Sequence, residues 1–115
     1  MDNRKIDQLV AEKVMGWKVF EYKNINTTVI DDGEFLVEIE EFKPSERIED
    51  AWNVVEKIGK DFTMNTVNEY DIHVKAGKLE LIGQYHCNIN GFHVYDKSAP
   101  LAICKAALKT VGVEV

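Results

Sequence analysis

The stretch Ser98-Ala99-Pro100-Leu101-Ala102-Ile103-Cys104-Lys105-Ala106-Ala107-Leu108-Lys109-Thr110-Val111-Gly112 decides how the rest of the chain must fold. Ser98 is suited to an N-cap, since its hydroxyl can accept a hydrogen bond from a first-turn N–H. Pro100 fits the first turn, where a missing N–H removes no intrahelical bond. Leu101, Cys104, Leu108 and Val111 recur at helical spacing and make one stripe. Ile103, Ala106 and Ala107 widen that stripe, and the small alanines allow close approach to a sheet. Lys105 and Lys109 are left to face water near the C-terminal end, where the helix dipole favours cations. This is the helix on which a core is built.

The chain has 115 residues, 45% of them hydrophobic and 30% charged, which is one ordinary domain with a single core and not a disordered composition. No apolar run reaches the roughly 18 residues that a membrane span needs. Residues Met1 to Asp7 hold no apolar signal region, so a cytoplasmic location is expected. Cys87 and Cys104 are the two cysteines and suit neither a disulfide framework nor a zinc knuckle.

The formal net charge of −6 makes nucleic acid an unfavourable partner, because phosphate binding draws on Lys and Arg. Between Asp31 and Asp50 nine acids face only Lys43 and Arg47, so the charge is concentrated in one window. Such a run reads as a solvated strand face followed by an acidic helix N-terminus. It also reads as an acidic docking surface, with Asp31, Asp32, Glu38, Glu40 and Glu41 as its candidate residues, or as a weak divalent-cation site.

Working back from the C-terminal helix, Asn90-Gly91 is the strongest hairpin signal in the chain, a two-residue turn that needs positive φ at both positions. It pairs Ile89 with Phe92, Asn88 with His93, Cys87 with Val94 and His86 with Tyr95. Cys87, Ile89, Phe92 and Val94 then share the face offered to the helix, while His86, Asn88, His93 and Tyr95 share the other. Leu79 to Ile89 reads as one long strand bent at Gly83. Lys75 to Lys78 reads as a turn, and Glu69 to Val74 as a strand with Tyr70, Ile72 and Val74 on one face. Asp61 to Asn68 reads as a connector.

At the other end, Asp2 or Asn3 caps a helix running to about Met15. Its stripe is Ile6, Leu9, Val10 and Val14, with Arg4, Asp7, Gln8, Glu12 and Lys13 on its wet side. Gly16 stops it, and Trp17 packs back on its last turn. Trp17, Val19 and Tyr22 alternate weakly. Thr28-Val29-Ile30, the turn Asp31-Asp32-Gly33 and the strand Glu34 to Glu40 make a hairpin that buries Phe35, Val37 and Ile39. Ser45 caps a second helix in which Ile48, Ala51, Trp52, Val55 and Ile58 face the core, and Gly59 ends it. The fold class is an α/β (α+β) sandwich: one domain over residues 1–115, with three helices on a mainly antiparallel sheet of about five strands.

Three blocks carry a family resemblance: Leu9 through Trp17, then Pro44-Ser45 through Ile48 with Ala51-Trp52 and Val54 through Lys57, then Ala99 through Lys109. Together they resemble the phage ABA sandwich domain family, small phage and prophage proteins of uncharacterised function. The resemblance implies an α/β sandwich in a bacterial cytoplasm and implies no reaction. Lys18 to Lys43 departs from the family pattern in length and acidity, so a function housed there is expected to be this chain's own.

Chemistry is sparsely represented. Ser45 and Ser98 are better used as helix caps than as nucleophiles, and both thiols fall on apolar faces. His86, Asn88, His93 and Tyr95 are the best candidate for a ligand or partner. Two imidazoles there could share Zn²⁺ or Ni²⁺, or one could act as a base, with Asp96 nearby, but third and fourth metal ligands lack a recognisable spacing. No metal centre and no cofactor are expected. The chain reads as a phage accessory protein, a non-enzymatic binding or regulatory module whose partner is an unknown protein or small molecule, with self-association left open. The alternative is a ligand-sequestering protein, or a small metal-dependent hydrolase working on the His86/His93 face.

Overall fold

A computed structural model describes residues 2–59, 61–66, 72–75, 78–81 and 85–114, the strands at 72–75 and 78–81 as backbone. Helix α1 (Asn3–Leu9) continues into a π-helical turn, Val10–Val14. Strands β1 (Lys18–Tyr22), β2 (Thr27–Asp31) and β3 (Leu36–Glu38) form one antiparallel sheet in that order. After α2 (Ile48–Ile58) come β4 (Phe62–Thr66), β5 (Ile72–Lys75), β6 (Lys78–Leu81), β7 (Tyr85–Ile89) and β8 (Phe92–Asp96). Helix α3 (Ala99–Thr110) closes the order. β4, β7 and β8 form a second antiparallel sheet in the order β4-β7-β8, and β5 pairs with β6 as a hairpin.

The expected single sheet of about five strands is therefore replaced, among the described residues, by two three-stranded antiparallel sheets and a two-stranded one. The physical reason lies after β3. A 3-10 turn at Ile39–Glu41 and Pro44 end its ladder, and the chain then travels along α2 before another strand begins. The first sheet and the β5–β6 pair are built from strands adjacent in sequence, while β4 pairs with β7 across the intervening β5 and β6. Asp61 to Asn68 is also not a plain connector: Phe62 and Met64 point inward in β4, and Asn90 N–H donates to Asp61 O at 2.8 Å beyond the ladder's end. Tyr70 and Gly83 lie outside the described residues, so the bend at Gly83 and Tyr70's place on a strand face do too.

α3 behaves largely as its sequence requires. Ser98 Oγ accepts the Leu101 N–H at 3.3 Å, and Ala102, Ile103, Cys104, Ala106, Ala107 and Leu108 are buried. The helix contacts β7 and β8 on one side and α1, its π-turn and α2 on the other. Two details differ from expectation. Val111 is exposed at the C-cap, and Lys105 does not simply face water, because its Nζ reaches Asp96 Oδ2 at 2.8 Å.

Asp2 caps α1 by accepting the Lys5 N–H, and Gly16 (φ +76°) lets the chain leave the helix. Trp17 then meets Phe42 edge to face, with ring centroids 4.9 Å apart. Asp7, expected on the wet side, is buried instead: its Oδ1 accepts the Ser45 backbone N–H at 2.9 Å. Ser45 in consequence is not the cap of α2. Arg47 occupies that position, while Ser45 Oγ is buried with no partner among the described residues. Trp52 is 46% exposed and lies edge-on to Phe62 at 5.5 Å, so it is a rim residue rather than a core one. Phe35, expected inside, is exposed, because β3 begins only at Leu36.

Candidate functional site

The hairpin from β7 to β8 has the register read from Asn90-Gly91, with His86 opposite Tyr95, Cys87 opposite Val94, Asn88 opposite His93 and Ile89 opposite Phe92. Asn90 (φ +52°) and Gly91 (φ +88°) supply the left-handed turn. Since directly opposed residues share a face, Thr63, Asn65, His86, Asn88, His93 and Tyr95 lie on the side of the sheet away from α3. That face is half-exposed to exposed.

His86 Nε2 and His93 Nδ1 are 2.7 Å apart, and their ring planes are parallel within 6° with centroids 5.0 Å apart. These distances set the rings edge to edge, nitrogen to nitrogen, with Tyr95 packed on His86 at 4.7 Å. Two neutral imidazoles so placed share one proton between two lone pairs. Lone pairs that point at each other do not converge on a metal ion. Among the described residues no three His, Cys, Asp or Glu side chains are grouped to hold one. Asn88 does other work: its Oδ1 accepts the Gly91 N–H at 2.9 Å and braces the turn. Asp96 turns to the opposite side, where it accepts from Ser98 N–H and Lys105 Nζ.

The remaining nucleophile candidates are buried or engaged. Ser98 caps α3, and Cys87 and Cys104 are fully buried. Burial pushes the Cys87 thiol up to about 11 and raises Cys104 further, so both stay protonated at neutral pH.

The acidic window divides into parts with different uses. Asp31 Oδ1 accepts the Gly33 N–H, and Asp32 Oδ1 accepts from Glu34 and Phe35. These two bonds hold the exposed Asp32 carboxyl below the usual range. Glu38, Glu40 and Glu41 are exposed, and Glu40 meets Arg4 at 3.6 Å. Asp50 accepts the Lys43 N–H. A cleft of about 280 Å³ between α1 and the segment before α2 is lined by Arg4, Asp7, Ile39, Glu40, Lys43 and Glu46. Burial drives Asp7 up to about 6 there, and the Ser45 N–H opposes that rise.

The first sheet shows what the sequence reading missed. Val19, Ile30 and Val37 share its inner face. Lys18, Phe20, Tyr22, Thr27, Val29, Asp31, Leu36 and Glu38 therefore share the outer one. Phe20, Tyr22 and Leu36 stand there 41%, 50% and 68% exposed. The signal for this was the alternation Lys18-Val19-Phe20-Glu21-Tyr22, which carries apolar residues on both faces of an edge strand.

The sequence model of the phage ABA sandwich domain family matches residues 8–108. In fold the chain is similar to a phage protein from Bacillus cereus ATCC 14579, known from a 2.0 Å crystal structure. The two share 30% sequence identity and a TM-score of 0.69 over 100% of this chain and 92% of that one. None of the curated proteins compared matches the chain.

Proposed function

We propose that this chain, which belongs to the phage ABA sandwich domain family, is a non-enzymatic accessory protein that docks a protein partner on the outer face of the β1–β2–β3 sheet. The observation that carries this reading is the exposure of Phe20, Tyr22 and Leu36 on that one face. Val29 stands between Phe20 and Leu36 on this face, and large apolar side chains exposed together and rimmed by charge mark interaction sites. Aromatic side chains also bury large area at a small entropic cost.

Charge defines the partner. Asp31 and Glu38 lie within the face, and Asp32 and Glu34 sit on the turn beside it, against Lys18 within the face and Lys23 on the turn at its other end. A partner with an apolar centre and a Lys/Arg rim matches this pattern and is steered to it at low salt. Two copies stacked face to face would set Asp31 and Glu38 against themselves.

Native mass measurement of the protein isolated gently from its phage-carrying host tests the reading. The expected result is a complex with a different, basic protein that weakens with salt and is lost in Leu36→Ser and Glu38→Lys. A complex that survives both substitutions overturns it. So does a preparation holding only copies of this chain, or this chain with a small molecule or metal; the last would move weight to the His86/His93 face.

A further inference from the structure

β1 lies at the end of its sheet: in the order β1-β2-β3 it pairs only with β2, so its outer edge is unpaired among the described residues. Natural sheets usually blunt such an edge with proline, a bulge or inward charge. β1 has no proline, its register with β2 runs without interruption from Lys18 to Tyr22, and its one inner-face charge, Glu21, is exposed rather than buried. β3, at the opposite edge, is three residues long and ends in a 3-10 turn. One edge of this sheet is closed off early and the other is left open.

We propose that β1 pairs with β1 of a second copy, antiparallel about Phe20, joining two sheets into one of six strands. In that register residues of each face meet residues of the same face. Phe20 meets Phe20 of the partner, Val19 meets the partner's Glu21, and Lys18 meets the partner's Tyr22, whose ring can take the ammonium on its face. No like charges stand directly opposite, the arrangement that would weaken a cross-strand pair. A two-fold axis through Phe20 makes the contact isologous, so it closes at two chains.

The acids of β2 and β3 do not oppose this arrangement as they oppose face-to-face stacking, and the one acid on β1, Glu21, has Val19 of the second copy directly opposite and its own mate only on the diagonal. Strands in a sheet are about 4.8 Å apart, so the two β2 strands would be about 14 Å apart and the two β3 strands about 24 Å. Both separations exceed the screening length of about 8 Å at physiological salt. Asp31 and Glu38 would therefore scarcely feel their symmetry mates. The pairing packs Phe20 and Tyr22 edge to edge against the second copy and leaves Val29, Leu36 and Glu38 open, so dimer formation and the docking of another protein are read by different measurements.

Position 20 gives a direct test. In Phe20→Cys the two thiols face each other across the axis, at a backbone separation that a disulfide spans. Both native cysteines are buried and do not compete. Mild oxidation is expected to give a covalent dimer from Phe20→Cys and none from Leu36→Cys. Unmodified protein should also sediment as a dimer, and Phe20→Glu as a folded monomer by circular dichroism. Amide exchange in unmodified protein is an independent readout: alternate amides of Lys18–Tyr22 should slow by tenfold or more as concentration rises. A monomer at about 100 µM overturns the proposal. A dimer that Phe20→Glu leaves intact, equal cross-linking through Leu36→Cys, or β1 exchange that ignores concentration would do the same.

Discussion

The Asp7 carboxylate accepts the backbone N–H of Ser45 at 2.9 Å, tying α1 to the loop that launches α2 across 38 residues of chain. Both residues are buried, Asp7 at 4% exposure and Ser45 at 1%. Burial rather than a charged neighbour dominates the carboxyl, lifting it from 3.8 to about 6. Asp7 is thus an acid that the fold prefers to keep neutral.

The sign of the pH effect follows. Between the unfolded and folded values, about 4 to 6, the native state holds the Asp7 proton and the unfolded chain does not. Stability from this group is therefore full below pH 4, falls as pH rises to about 6 and is level above it. After allowance for solvent screening the change is about 1–2 kcal/mol. Asp7→Asn keeps an acceptor for Ser45 and removes the titration. Urea unfolding of both proteins across this range should show the difference between them moving in favour of the asparagine variant as pH rises. A difference that stays flat would refute the assignment.

Gly91 sets the register that gathers His86, His93 and Tyr95. At φ +88° a Cβ meets no neighbour within 4 Å, so the cost of Gly91→Ala is backbone strain alone, about 1 kcal/mol. Denaturant unfolding should show that loss with an unchanged slope. The His86–His93 contact should persist in the NMR spectra, because four further pairs hold the ladder above the turn.

Helix α3 and helix α2 should respond differently to truncation. Ile103 is fully buried between sheet and helices, and Ile103→Ala should cost about 2–5 kcal/mol through lost burial and the cavity left behind. Trp52 is the larger side chain, yet it is half exposed and lies edge-on to Phe62. Trp52→Ala should cost less than Ile103→Ala, which thermal unfolding would show directly. The reverse order would mean that α2, not α3, organises the core.

The parts of this fold legible in the sequence were those where local chemistry and tertiary packing agree. Ser98 and Pro100 start α3, Gly16 and Gly59 stop α1 and α2, and Asn90-Gly91 fixes a two-strand register to the residue. Asp7 and Ser45 were misread because each obeys a local rule, wet helix face and N-cap, that a long-range hydrogen bond overrides. Helical periodicity does not reveal that a polar position is covered by a loop 38 residues away. The split into two sheets was hidden for a similar reason, since strand patterns show which face is buried but not which strands are neighbours. The His86/His93 face was legible from the turn alone. The apolar outer face of β1–β2–β3 was not, because Phe20 and Leu36 look like core residues until the register shows them pointing away from it.

The acids of the window should separate by experiment into those that build the turn and those that only present charge. Asp32 holds the Glu34 and Phe35 amides, and those bonds depress its carboxyl. Its contribution is present above the unfolded value and is lost as pH falls through the lowered folded one. Glu38 and Glu41 are exposed and accept no backbone bond among the described residues. Asp32→Ala should therefore speed amide exchange at Glu34 and Phe35, and acidification of the unmodified protein should do so too. Glu38→Gln and Glu41→Gln should leave those amides unchanged, and Glu38→Gln should alter the salt dependence of association on the outer face. If the two glutamine variants also loosen the turn, the acidic window is one structural unit, and its charge cannot be assigned to docking.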